Sequence, residues 1–154
     1  YIAYKGFEIR DKAVPYEGSS QYMEKTDATE KIPEFVYHYM EDIKKMCREN
    51  DAELLLVSAP SPCNYNYKKH NALESYAKEN GLPYIDLNMK TEELGINWKT
   101  DSYDKGDHLN LSGAQKVTAY MAKYLKENYS IPDHRGEKAY QEWEELAKKF
   151  RQYL

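Results

Sequence analysis

The order of apolar segments between residues 34 and 87 constrains this chain more than any other feature. After Pro33, which suits the first turn of a helix, Val36, Met40, Ile43 and Cys47 recur at helical spacing and predict a helix over 34–49. Glu41 and Lys45 stand four apart on its outer side. A short polar break leads to Glu53-Leu54-Leu55-Leu56-Val57-Ser58, whose apolar centre is continuous rather than alternating. Such a run fits a strand covered on both faces, as in a parallel sheet. Ala59-Pro60-Ser61-Pro62 stops it, because proline cannot donate to the ladder. A second helix is predicted over 66–80, with Ala72, Leu73, Tyr76 and Ala77 inward and Gly81 as its C-terminal glycine. Pro83-Tyr84-Ile85-Asp86-Leu87 reads as a second strand. Helix, strand, helix, strand is the pattern of α/β architecture.

The rest of the chain is arranged around that unit. Residues 1–33 hold Gly6, Pro15, Gly18 and Pro33 without a sustained period, and read as an irregular arm with a short strand near Tyr1–Ile9. Residues 88–107 are a polar connection carrying Met89, Leu94, Ile96 and Trp98. Ser112 and Gln115 have capping-box spacing. They open a helix to about Asn128 whose inner face is Ala114, Val117, Tyr120, Met121, Tyr124 and Leu125. Ile131-Pro132-Asp133 breaks it, and a last amphipathic helix over about 137–153 carries Tyr140, Trp143, Leu146 and Phe150. Three stretches result: an arm (1–33), an α/β unit (34–129) and a helical extension (130–154).

Composition excludes several classes. With 41% hydrophobic and 31% charged residues, the 154-residue chain can bury a core and is not a disordered segment. The net charge of −4 with interspersed signs, and the lack of a Lys/Arg stripe, argue against nucleic acid as a partner. No apolar run reaches the roughly 18 residues that span a bilayer, and no signal peptide opens the chain. Cys47 and Cys63 lack CxxC spacing, which predicts two unlinked thiols. The 16 tyrosines include Tyr65 and Tyr67 beside a predicted loop. They are candidates to stack on a sugar ring, or to cover a small core with the hydroxyl left in water.

Chemistry concentrates in Tyr103-Asp104-Lys105-Gly106-Asp107-His108-Leu109-Asn110, a loop after the second strand and before a helix. In open α/β sheets, sites gather at the carboxyl ends of strands. A carboxylate on one ring nitrogen of His108 fixes the tautomer and stabilises the imidazolium, and the other nitrogen is then free to take a proton. Asp104 and Asp107 are the candidate partners. Asp104 is favoured, because adjacent side chains in an extended segment point apart. A metal held by Asp104, Asp107 and His108 is a weaker reading, since no second His or Cys lies at ligand spacing. Asn110 reads as a loop or helix-start residue, with substrate contact as the alternative. His38, His70 and His134 read as structural or solvated.

The stretch Asp-x-Gly-Asp-His-Leu-Asn-Leu-Ser-Gly-Ala-Gln-Lys-Val-Thr, running into a helix, closely resembles the terminal block of the SGNH (GDSL-like) hydrolase superfamily. It is most similar to a cell-surface branch from Gram-positive bacteria. The apolar strand ending in Ser58-Ala59-Pro60 and the later Leu82-Pro83-Tyr84-Ile85-Asp86-Leu87 also look like that branch, so the resemblance covers about residues 34–129. It implies a flavodoxin-like three-layer α/β/α fold, here the C-terminal part, with His108 as general base and no cofactor. It further implies a serine esterase or O-acyltransferase acting on acylated, chiefly acetylated, carbohydrate at the cell surface or outside the cell, and leaves open whether the parent is anchored to a membrane.

Two departures matter. The position three before His108 is Lys105 where the family has Asp, so a turn at Gly106 has to absorb one residue if Asp104 is the partner. The family's Gly-Asp-Ser-like nucleophile turn and its oxyanion Gly and Asn are not recognisable. Gly18-Ser19-Ser20 lacks a preceding strand, and Ser58 and Ser61 follow a strand that matches a later one in the family. The expectation is therefore a chain inactive on its own, with the nucleophile segment either outside it or lost. Its sheet edge would be exposed and able to pair with another copy. The alternative is a non-catalytic module that binds a glycan or partner.

Overall fold

The computed structural model describes residues 5–153. It is a mixed α/β structure with four α-helices and a two-stranded parallel sheet among the described residues. The helices are α1 (Glu34–Glu49), α2 (Tyr67–Asn80), α3 (Leu111–Asn128) and α4 (Gln141–Phe150), and the strands are β1 (Leu56–Ser58) and β2 (Tyr84–Asp86). β1 crosses to β2 through α2, with Leu56 opposite Tyr84, Val57 opposite Ile85 and Ser58 opposite Asp86. Both strands are shorter than the apolar runs that predicted them, because ladder pairing spans only these three positions.

Local chemistry sets most helix ends. Asn66 caps α2 by accepting from the Lys69 amide at 3.1 Å, and Gly81 ends it in the left-handed region at φ +62°. The start of α3 departs from the expected capping box. Asn110, not Ser112, accepts from the Gly113 amide, at 3.2 Å. Ser112 gives its hydroxyl to Asp101 instead, at 2.8 Å. The expected last helix is α4 flanked by two 3-10 turns, Lys138–Tyr140 and Arg151–Tyr153.

The core is small. Ile85, Leu87 and Leu94 are buried, with Leu55, Ile96, Val117, Tyr120, Met121 and Tyr124 packed around them. This is the inner face predicted for α3, and Leu94 and Ile96 show that the polar 88–107 connection contributes to the core. α1 differs from expectation. It packs on α2 through Tyr37 against Tyr76 and through Glu41, which accepts from the Tyr76 hydroxyl at 2.7 Å. Ile43, expected on its inner face, is half exposed, as are Phe35, Tyr39 and Met46. Glu41 pairs with Lys44 at 2.6 Å, while Lys45 faces Glu49.

The expected N-terminal strand is not formed by residues 5–9, and residues 1–4 lie outside the described part. What the arm does is buttress the loop before α3. The Val14 amide donates to Ser102 O at 2.8 Å, Lys105 N donates to Val14 O at 3.2 Å, and Leu111 N donates to Arg10 O at 2.6 Å. Tyr16 and Tyr22 both meet the Trp98 ring edge-on.

Candidate catalytic dyad

The loop between Ser102 and Leu109 is closed by an antiparallel bridge between those residues, with Tyr103 N donating to His108 O at 2.9 Å. Its tip turns because Lys105 and Gly106 both have positive φ, +66° and +98°. This pair of left-handed residues turns the chain between Asp104 and His108. Glycine is required at 106 on a second count, since a Cβ there would stand 2.7 Å from the Tyr16 ring and 2.9 Å from Pro62.

The turn brings Asp104 back onto His108. Asp104 Oδ1 accepts from the His108 backbone amide at 2.7 Å, and Oδ2 lies 2.6 Å from Nδ1 of the ring. One carboxylate thus grips both the main chain and the imidazole, which fixes the ring's position and its Nδ1–H tautomer. Asp107 Oδ2 is 3.6 Å from the same nitrogen, so Asp104 makes the hydrogen bond and Asp107 adds negative charge beside it. Burial pushes the Asp104 carboxyl up. The bonds from the His108 amide and ring and from the Asp107 amide outweigh that and hold it below the ordinary carboxylate value. The His108 side chain is 68% exposed, and Nε2 has no protein partner among the described residues.

The ligand atoms of Asp104, Asp107 and His108 lie within 4.8 Å of one another, a spacing open to a cation. Two ligands of one tetrahedral ion at about 2 Å would stand roughly 3.3 Å apart. The 2.6 Å contact between Nδ1 and Oδ2 is instead the length of a charge-assisted hydrogen bond.

Two further elements hold the loop. Behind it, Asp101 is fully buried and accepts from Asn97 N at 2.7 Å, Ser112 Oγ at 2.8 Å and Lys116 Nζ at 2.5 Å. Burial raises its carboxyl and the three donors more than reverse this, leaving it below the ordinary value. In front, the segment after β1 clamps the tip. Ser61 Oγ donates to Asp107 O at 2.9 Å, Cys63 N and Sγ donate to Gly106 O and Lys105 O, and the Asn64 carboxamide donates to Asp107 Oδ1. Asn88, buried beneath, accepts from Ser61 N at 2.9 Å and donates to Ala59 O at 3.0 Å.

Of the sequence candidates, the structure brings His108, Asp104 and Asp107 together. Asn110 is buried, and its carboxamide is used at the α3 cap and on Thr100 O at 2.7 Å. Tyr65 directs its hydroxyl inward to Tyr84 at 2.6 Å and Ser58 at 3.2 Å, and burial, helped by Tyr84 and the Asp86 charge, pushes its pKa well up against the lowering effect of the Ser58 bond. Tyr67 packs its ring against His70. None of the three makes a hydrogen bond to the dyad. Of the serines considered as nucleophiles, Ser58 is engaged with Tyr65 and Tyr84, Ser61 with Asp107 O, and Ser19 Oγ with the Gln21 amide, while Ser20, at the Gly-x-Ser position, is exposed and is not bonded to His108. The supporting residues Asn64, Asn88 and Asp101 were not singled out by sequence reasoning. The one local signal was that Ser61–Asn64 follow the carboxyl end of a strand.

Comparison with protein-family models, curated proteins and solved structures finds no match to this chain.

Proposed function

We propose that this chain supplies the base side of an SGNH-type serine acyl-hydrolase or O-acyltransferase, as the C-terminal part of a flavodoxin-like three-layer fold. The observation that carries the reading is the double grip of Asp104 on the His108 amide and Nδ1, with Nε2 unpartnered among the described residues. His108 Nε2 takes the proton of a serine hydroxyl as that oxygen bonds to the acyl carbon. The same proton passes to the leaving alcohol when the ester C–O bond breaks. Water or an acceptor hydroxyl then releases the acyl group by the reverse sequence. Asp104 holds Nδ1–H throughout and stabilises the imidazolium. In this reading the serine and its oxyanion donors are supplied by polypeptide outside this chain. The substrate class is an acylated, chiefly acetylated, carbohydrate at the cell surface or outside the cell.

The chain alone should leave acetyl esters of sugars intact. A polypeptide extended upstream of Tyr1 should contain a strand followed by Gly-x-Ser, and should cleave them in a manner lost on His108→Ala. Ester cleavage that survives His108→Ala in the longer protein would sink this reading. The second reading, a binding module of the same fold, is favoured by the absence of a hydroxyl on Nε2. It would show as glycan binding by a longer protein that has no Gly-x-Ser.

The surfaces that receive further chain are the open edge of β1 and the exposed apolar side of α1. β1 has no second strand partner among the described residues, Val57 is 44% exposed, and Phe35, Tyr39 and Met46 on α1 are each more than 60% exposed. An open strand edge and an exposed apolar helix face are each pairing surfaces. In isolation they are taken up by a second copy. Sedimentation should show concentration-dependent dimers that weaken in Tyr39→Glu/Met46→Glu. A monomer at every concentration would count against this assignment.

A further inference from the structure

His108 has two aspartates within reach of one nitrogen, and the structure offers a reason why only one of them bonds to it. Asp107 is the covalent neighbour of His108, and its Oδ2 is 3.6 Å from Nδ1, one small rotation from hydrogen-bond range. Its other oxygen, Oδ1, accepts from the Asn64 carboxamide. Asn64 is itself fixed. Its carbonyl accepts from Lys69 Nζ at 2.8 Å, the neighbouring Cys63 bonds the loop tip through both N and Sγ, and Asn66 caps α2 two residues on. Asp107 is thus tied on the side away from the ring, by a donor mounted on a different element.

We propose that Asn64 is a positioning residue that holds Asp107 off Nδ1 and so assigns His108 to Asp104. This rests on the reading of His108 as the base. It matters to that reading because the choice of aspartate sets the plane of the ring and hence where Nε2 is aimed. The charged groups facing the ring are Asp104 and Asp107, with Lys105 at the loop tip and Lys69 behind Asn64. Asn64 is the neutral donor among them, and it can restrain a carboxylate without adding charge.

The test uses Asp104→Asn, for a geometric reason. The His108 backbone amide needs an acceptor, so an asparagine at 104 turns its carbonyl to that amide and its NH2 to the ring. Nδ1 is then an acceptor and the ring moves to the Nε2–H tautomer. With Asn64 in place, Asp107 cannot take over. Nitrogen-15 NMR of the His108 imidazole in the folded chain reads the tautomer directly, with no substrate or nucleophile needed. Asp104→Asn should lower the ratio of Nδ1–H to Nε2–H about ten-fold, the loss of one charge-assisted hydrogen bond. Adding Asn64→Ala should restore most of it, because Asp107 is released to accept from Nδ1. Adding Asn64→Asp instead, which keeps side-chain size but removes the donor and repels Asp107, should restore it at least as well. Asp107→Asn alone should leave the ratio unchanged. The proposal is overturned if neither Asn64 variant restores the tautomer, or if Asp104→Asn does not change it while Asn64 is present. Either result leaves the acyl-hydrolase reading to its own assay, and failure of that assay leaves the tautomer result intact.

Discussion

Asp101→Ala should lower the unfolding free energy by about 3 kcal/mol, the scale for leaving donors without their buried charged acceptor. For a chain of this length that is a fall in melting temperature of roughly 10 °C. Asp101 is 0% exposed, and its carboxylate is the acceptor for the Asn97 amide, the Ser112 hydroxyl and the Lys116 ammonium. Truncation leaves three donors without that acceptor, two of them on the first turns of α3. It also vacates a negative charge near the helix N-terminus, where the dipole favours it. Asp101→Asn should recover part of the loss, since one oxygen can still accept. A loss under 1 kcal/mol in urea unfolding would mean that the loop before α3 does not depend on this carboxylate.

The same residue predicts an acid response. Its folded carboxyl lies below the ordinary value. The stabilisation it supplies is therefore complete above the unfolded value of about 3.9 and is lost as pH falls through the lower folded value. Asp101→Asn should cost stability at neutral pH and show a shallower decline below about pH 4. An unchanged acid slope would assign that decline to other carboxylates, Asp104 among them.

His70→Ala should cost about 2–3 kcal/mol, far more than the few tenths expected for a solvated surface histidine. His70 Nδ1 lies 2.8 Å from Asp86 Oδ2, with the two side chains 12% and 3% exposed. Asp86 Oδ1 accepts from both Asn88 N and its carboxamide at 2.9 Å, so this pair ties α2 to the end of β2 and to the residue beneath the dyad clamp. The ring sits between Tyr67 and Tyr84. Its loss leaves a gap and a buried carboxylate short of its ring-nitrogen partner. Replacement by Gln, which can still donate to Asp86, should cost less than Ala. Equal losses for both would attribute the effect to packing alone.

Three of the four histidines read alike in the sequence, yet His70 is a buried strut while the His38 side chain is 70% exposed. Nothing within a few residues of His70 announces this, because Asp86 is sixteen positions away. Capping at α3 has the same lesson. Ser112 has the correct local spacing, but Asp101 is eleven residues upstream and captures its hydroxyl, leaving the cap to Asn110. Ile43 is apolar at a helical interval and still half exposed, since periodicity names a face without saying what covers it.

The amino-acid sequence by itself determined the elements and the dyad. Proline and glycine punctuation, apolar periodicity and the Asp104–His108 spacing all act over a few residues, where local sterics and a single turn decide the outcome. The tertiary structure alone decided which polar groups are spent on support and which apolar faces stay open. Those outcomes depend on contacts such as Asn64 to Asp107 and Asp101 to Lys116, forty-three and fifteen residues apart. Bonds of that range form only when the burial of Ile85, Leu87 and Leu94 has folded the chain back on itself.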